Sequence, residues 1–103
     1  MLLMDVNVLV YAFREDVKDH KAYKSWLESV INGDQAFGVS ELVFSGFLRV
    51  VTHPKIFEQP AELETALQFS EQIKTSANAL VLTQGDKHWD LFLRNLKAIN
   101  ATG

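Results

Sequence analysis

The chain has 103 residues, of which 48% are hydrophobic, and its 10 basic and 13 acidic side chains give a formal net charge of -3. This combination excludes a disordered segment and a protein that coats nucleic acid by positive charge alone. With no cysteine, 5 glycines and 2 prolines, it also excludes disulfide-stapled, cysteine–zinc and low-complexity proteins. We expect one globular domain over residues 1–103, located in the cytoplasm, because neither a basic leader region nor a membrane-spanning apolar run is present.

The first third of the sequence predicts a short strand followed by two helices. Residues 2–4 have the pattern of a buried strand that stops at Asp5, and the apolar run after Asn7 predicts a short buried helix. A second helix begins after Asp19, which can cap it, and ends at Asn32-Gly33, which suits a left-handed C-cap. Its apolar face, which we assign to the core, consists of Tyr23, Trp26, Leu27, Val30 and Ile31.

The rest of the sequence predicts two further strand-and-helix units. A strand over residues 36–39 leads through the N-cap Ser40 into a mostly buried helix over residues 41–51. The next helix begins at Pro60, reaches about Thr75 and is predicted to be partly exposed. One of its faces consists of Leu63, Ala66, Leu67, Ser70 and Ile73 or Lys74. A third strand over residues 79–83 and a final helix with Asp86 as its cap and Trp89 in the core complete the chain. This alternation predicts an α/β fold with a parallel sheet.

Polar side chains follow each predicted strand at its carboxyl end, where open parallel sheets carry their functional groups. They are Asp5 and Asn7 after the first strand, Ser40 and Glu41 after the second, and Thr83, Gln84 and Asp86 after the third. Carboxylates from two different strand ends can converge at this edge. A pair of carboxylate ligands suits Mg²⁺ or Mn²⁺, which bind through one or two carboxylates together with waters and phosphate oxygens. The pattern therefore points to phosphodiester hydrolysis.

Each of these residues also has a structural interpretation. Asp5 can cap the helix that follows it, and Glu41 is favoured in the first turn of a helix by the helix dipole. A carboxylate inside an apolar stretch is costly unless it is paired or bound to a metal, which favours the metal-site interpretation of Asp5. Arg49 lies on roughly the same helix face as Glu41, and an ion pair with a buried carboxylate is favoured for it over contact with a phosphate.

Other kinds of site lack their signatures. The three histidines do not have the spacing of a zinc helix, and His53 before Pro54 is interpreted as a turn residue. No glycine-rich phosphate loop or Gly-x-Ser-x-Gly elbow is present, which argues against dinucleotide binding, P-loop hydrolysis and α/β-hydrolase chemistry. A phospho-receiver domain is a distant competitor, because Asn7 and Gln84 do not supply its acidic residues.

Two blocks of sequence are informative in combination: residues 3–12, LMDVNVLVYA, and residues 40–54, SELVFSGFLRVVTHP. Together they resemble the PIN-domain family and, within it, toxins of the VapC type. The resemblance implies a three-layer α/β/α PIN-like fold and an endoribonuclease of a type II toxin–antitoxin pair. In such enzymes acidic residues hold Mg²⁺ or Mn²⁺ and water attacks the RNA phosphodiester bond. RNA would then be the substrate and a cognate antitoxin the protein partner.

Carried over by position, the resemblance makes Asp5 a metal ligand, Asn7 its orienting neighbour and Glu41 the second acidic ligand. In many PIN domains the helix glutamate lies about one turn later, where this chain has Phe44 and Ser45, so Glu41 would reach back from an earlier turn.

PIN domains also continue with elements that carry further acidic residues, so we expect this chain to be incomplete at its C-terminus. Missing strands would leave residues 2–4 as an uncovered sheet edge, which favours a homodimer or higher self-association. The alternative to an active nuclease is a truncated, non-catalytic PIN-like module that dimerises or binds an antitoxin.

Overall fold

The computed structural model describes residues 1–83, and the predicted final helix with Asp86 and Trp89 lies outside the described residues. In this range the strands are β1 (Leu2–Leu3), β2 (Phe37–Ser40) and β3 (Ala79–Leu82). The helices are α1 (Val6–Phe13), α2 (His20–Ile31), α3 (Glu41–Val51) and α4 (Leu63–Lys74). The predicted order of strands and helices is thereby confirmed up to β3. None of these helices is long and apolar enough to cross a membrane.

The three strands form one parallel sheet in the order β1-β2-β3, with Leu3 beside Gly38 and Gly38 beside Leu80. Since the order never reverses and crossovers between parallel strands are right-handed, all four helices belong to the same face of the sheet. On that face Phe37 and Val39 are each only 1% exposed, whereas Leu3 and Leu80 on the other face are 45% and 44% exposed. The predicted α/β fold with a short parallel sheet is confirmed.

Three phenylalanine rings form the centre of the helical layer. Phe47 of α3 is fully buried, and its ring centroid lies 5.3 Å from that of Phe13 in α1 and 5.2 Å from that of Phe69 in α4. The centroids of Phe13 and Phe69 lie 5.0 Å apart. Aromatic pairs at such distances add about 0.5–1.5 kcal/mol each beyond the burial of their surface. The cluster therefore determines which face of α1, α3 and α4 turns inward.

Helix α4 starts later than predicted and is partly exposed, as predicted. The Ala61 N–H donates to the carbonyl oxygen of Val51 at 2.8 Å, and Glu62 keeps an extended backbone, so the helix begins at Leu63 and not at Pro60. Its buried residues are Ala66, Ser70 and Ile73, while Leu63 and Leu67 are exposed. The contacts of Phe69 with the other two rings turn its side of the helix inward and leave these leucines outside the contact.

Helix α2 corrects three predictions. Asp19 has a left-handed backbone with φ 64°, and its side chain makes no capping hydrogen bond. The helix does not end in a left-handed cap, because Asn32 has φ -90° and its N–H donates to the carbonyl oxygen of Glu28. Trp26 is 38% exposed and does not belong to the core, since Leu27 takes the one fully buried position of this helix.

Candidate active site

Two helices start at the carboxyl edge of the sheet, directly after neighbouring strands. The Met4 N–H donates to the carbonyl oxygen of Gly38 at 2.9 Å, so the parallel pairing of β1 with β2 continues past the end of β1. Continuing the same register places Asp5 beside Ser40, which directly precedes Glu41. Adjacent strands lie about 4.8 Å apart. The structure therefore brings the two predicted carboxylates to one edge, at the starts of α1 and α3.

Asp5 is the N-cap of α1. Its Oδ1 accepts a hydrogen bond from the Val8 N–H at 2.9 Å, and its backbone is extended. The residue is exposed, and the cap is the one hydrogen bond that its side chain makes within residues 1–83. An aspartate with one oxygen in a cap keeps the second oxygen for a hard cation. The structural and the functional interpretation of Asp5 are thus compatible.

Glu41 is the first residue of α3 and follows the N-cap of that helix. Ser40 Oγ accepts a hydrogen bond from the Val43 N–H at 3.0 Å, which confirms the predicted cap. The Glu41 side chain is exposed and forms no ion pair with any residue of the described range. A carboxylate in the first turn of a helix is stabilised by the helix dipole. Within residues 1–83, Glu41 therefore presents a negative charge without an ion-pair partner at the edge where Asp5 also lies.

Asn7 occupies a different position from the one its pattern suggested. Helix α1 begins at Val6, so Asn7 lies in the first helical turn and not in a turn before the helix. It is exposed, and residues two apart on a helix do not face each other. Its assigned role as the orienting neighbour of Asp5 stays a prediction.

A glycine in α3 allows α1 to approach closely. A Cβ atom at Gly46 would lie 3.0 Å from Cγ2 of Val6, closer than the roughly 3.5–4.0 Å of ordinary carbon contacts. Because Val6 follows Asp5 directly, this contact fixes the start of α1 against the second turn of α3. Apolar periodicity does not single out Gly46, and the available signal is the presence of a glycine inside an otherwise regular helical pattern.

The donor chemistry of the edge suits a hard divalent cation. Asp5 and Glu41 supply carboxylate oxygens, which Mg²⁺ and Mn²⁺ prefer, whereas zinc sites are built mainly from nitrogen and sulfur. Magnesium needs only one or two protein carboxylates, since water and phosphate oxygens complete its octahedral shell. In the part of the chain that the structure describes, no three His, Cys, Asp or Glu side chains gather into a metal-holding group. Among residues 1–83, Asp5 and Glu41 are the carboxylates that directly follow β1 and β2 at this edge.

The remaining polar candidates contact other groups or, within residues 1–83, have no polar partner. His53 Nδ1 accepts a hydrogen bond from the Lys55 N–H at 3.0 Å, which confirms it as a turn residue. His20 Nδ1 lies 2.9 Å from the carbonyl oxygen of Tyr11, at the start of α2. Arg49 is exposed, and the ion pair predicted for it is not formed with any residue from 1 to 83.

Comparison with known proteins finds relatives along the whole chain. No protein-family model matches it. It is 37% identical over 103 residues to VapC ribonuclease Mb2897 of Mycobacterium bovis and to ribonuclease VapC43 of Mycobacterium tuberculosis, and covers 70% of the length of each. It is 33% identical over 103 residues to ribonuclease VapC25 of Mycobacterium tuberculosis, of which it covers 72%.

Proposed function

Because the chain belongs to the VapC family of PIN-domain ribonucleases, we propose that it is the toxin of a type II toxin–antitoxin pair and hydrolyses RNA phosphodiester bonds as an endonuclease. The observation that carries this proposal is the placement of Asp5 and Glu41 at one edge of a parallel sheet, each at the start of a helix. We further propose that the activity depends on Mg²⁺ or Mn²⁺ held by these two carboxylates.

Residues of the chain itself organise this edge. The cap of α1 anchors one oxygen of Asp5, and the Ser40 cap anchors the start of α3, so both carboxylates extend from rigid elements. A bound divalent cation would supply Lewis-acid polarisation of a phosphoryl oxygen and lower the pKa of a bound water. The N-termini of α1 and α3 add positive partial charge at the same edge. This favours the approach of an anionic phosphate toward an edge that carries two acidic side chains.

The proposal includes two protein partners. A cognate antitoxin would be the inhibitor of the nuclease, as the membership of a toxin family implies. A second copy of the chain is the other partner, because Leu3 and Leu80 form an exposed apolar surface on the sheet and β1 pairs with β2 alone within residues 1–83. Sedimentation that finds only monomer at micromolar concentration would contradict self-association. The compartment that we propose is the cytoplasm.

The test is RNA cleavage by the purified protein with Mg²⁺, with Mn²⁺ and with EDTA. We expect cleavage only with a divalent cation, and a loss of at least tenfold in the Glu41→Gln variant, because the amide removes a charged ligand. Glu64→Gln is the matched control, since Glu64 is an exposed glutamate in the first turn of α4, away from the sheet edge. Cleavage that persists in EDTA, or equal loss in both variants, would contradict the assignment.

A non-catalytic PIN-like binding module is the second candidate. The observation that favours it is that residues 1–83 bring two carboxylates together and no group of three. This candidate predicts that the protein binds a partner peptide and that Mn²⁺ does not raise its melting temperature. A ligand that binds the folded state raises the melting temperature, so a Mn²⁺-dependent increase that Glu41→Gln reduces favours the nuclease.

A further inference from the structure

One side of α3 is exposed along its whole length, starting at the candidate active site. The exposed residues are Glu41, Leu42, Ser45 and Arg49, while Phe44, Phe47 and Val51 are buried. With 3.6 residues per turn, the four exposed positions span an arc of about 100° around the helix. We call this arc the α3 stripe. It begins with a carboxylate at the sheet edge and ends with a guanidinium near the last turn of the helix.

The contact between α1 and α3 relates this stripe to Asp5. Val6, the residue after Asp5, contacts α3 at Gly46. At a rise of 1.5 Å per residue, Gly46 lies about 7.5 Å along the axis from Glu41 and about 4.5 Å before Arg49. Around the axis, at about 100° per residue, Gly46 lies roughly 60° from Arg49 and roughly 140° from Glu41. The start of α1, which follows Asp5, therefore borders the α3 stripe on the side of Arg49.

The two arginines of the described range have contrasting environments. Arg14 is buried, and its Nε and Nη2 atoms donate hydrogen bonds to the Asp16 carboxylate. Its Nη1 atom donates to the carbonyl oxygen of Gln59 at 2.8 Å. Its guanidinium lies 4.0 Å from the centroid of the Phe57 ring. Arg49 is exposed and has no hydrogen bond, ion pair or aromatic partner among residues 1–83. A lysine would be enough to stabilise the negative end of the helix dipole at the C-terminus of α3. A guanidinium can in addition donate two parallel hydrogen bonds to a phosphate.

We propose that Arg49 binds a phosphate of the RNA strand adjacent to the one that is hydrolysed. The inference rests on the proposed nuclease function and adds a substrate-binding residue to it. A chain of net charge -3 with two carboxylates at its active edge needs a local cation to hold a polyanion. Arg49 supplies that cation, and the exposed hydroxyl of Ser45 lies between it and Glu41 on the stripe. The strand then follows α3 from its first turn toward its last.

The experiment measures binding of single-stranded RNA by fluorescence anisotropy as a function of NaCl concentration. The parent variant is Asp5→Asn, in which we expect cleavage to be lost, and Arg49→Gln, Arg49→Lys and Lys21→Gln are each added to it. Lys21 is an exposed lysine of α2, which packs on the other side of α1, and its change matches the loss of one charge. A phosphate contact contributes about 0.7 to the slope of log K against log salt for a single strand.

We expect Arg49→Gln to weaken binding roughly tenfold, equally for unrelated RNA sequences, and to lower the salt slope by about 0.7. Arg49→Lys keeps the charge and should retain the slope with a smaller loss of affinity. Lys21→Gln should change neither. Binding and slope that are unchanged in Arg49→Gln overturn the inference and leave the nuclease proposal intact. If Arg49→Gln leaves RNA binding unchanged but abolishes antitoxin binding, the inference is also overturned and Arg49 is assigned to a protein contact. Failure of the wild-type protein to cleave RNA overturns the underlying nuclease function.

Discussion

Asp5 combines a structural and a proposed chemical role, and two substitutions separate them. Asparagine keeps an oxygen that accepts the Val8 N–H and is about as good an N-cap as aspartate, but it lacks the charge that a metal ligand needs. Alanine removes both the cap and the charge. We therefore expect Asp5→Asn to change the free energy of unfolding by a few tenths of a kcal/mol at most, and Asp5→Ala to lower it by about 1 kcal/mol, within the 0.5–2 kcal/mol measured for lost caps.

Calorimetry and cleavage kinetics on the same preparations distinguish the roles. For a domain of about 100 residues, 1 kcal/mol corresponds to a melting-temperature change of about 4–8 °C, which calorimetry resolves. The melting temperature should fall only in Asp5→Ala, whereas metal-dependent RNA cleavage should be lost in both variants. Normal cleavage by Asp5→Asn would refute the ligand role of this carboxylate. A wild-type melting temperature for Asp5→Ala would refute the energetic importance of the cap.

Three further predictions concern the packing and charges around the site. Gly46→Val should destabilise by about 1–3 kcal/mol in urea unfolding and reduce cleavage, because its branched side chain meets Val6 and displaces the start of α1. Phe47→Ala should cost about 3–5 kcal/mol in the same assay, since it empties the centre of the aromatic cluster. The hydrogen bond and the charge of Arg14 lower the pKa of Asp16 from its ordinary value of 3.8. The pair therefore stabilises the fold fully above pH 3.8, and this stabilisation is lost as the pH falls through the lowered pKa. Asp16→Asn should therefore flatten the melting temperature against pH in the acidic range.

The parts of the fold that depend on local chemistry are predictable from the sequence. Helix α3 occupies the predicted residues 41–51, because a serine cap and a proline just past its end bracket a regular apolar pattern. The start of α4 is not predictable in this way, since the hydrogen bond between Ala61 and Val51 joins residues of different elements. The exposure of Trp26 is not predictable from the sequence for a similar reason. The spacing of apolar residues identifies a face of α2 that is wider than the area covered by the neighbouring helix.

The candidate site also combines features that follow from the sequence pattern with features that depend on contacts between distant residues. The carboxyl ends of parallel strands meet at one edge, so the placement of Asp5 and Glu41 together follows from the strand pattern alone. The position of Asp5 relative to α3 depends on how closely Val6 packs against Gly46, which is a contact between distant parts of the chain. The lack of a partner for Arg49 among residues 1–83 likewise requires the three-dimensional arrangement.

The pairing of β1 with β2 has a consequence for the order in which the molecule folds. Strand β1 has two residues, and Leu2 pairs with Phe37, so the sheet closes only across the whole of α1 and α2. Contacts distant along the chain form late in folding, because the entropy of loop closure is lost before they contribute. During synthesis, which proceeds from the N-terminus, Asp5 leaves the ribosome long before the residues that position it. We expect the acidic edge to assemble only after α3 has emerged, because Glu41 is the first residue of that helix.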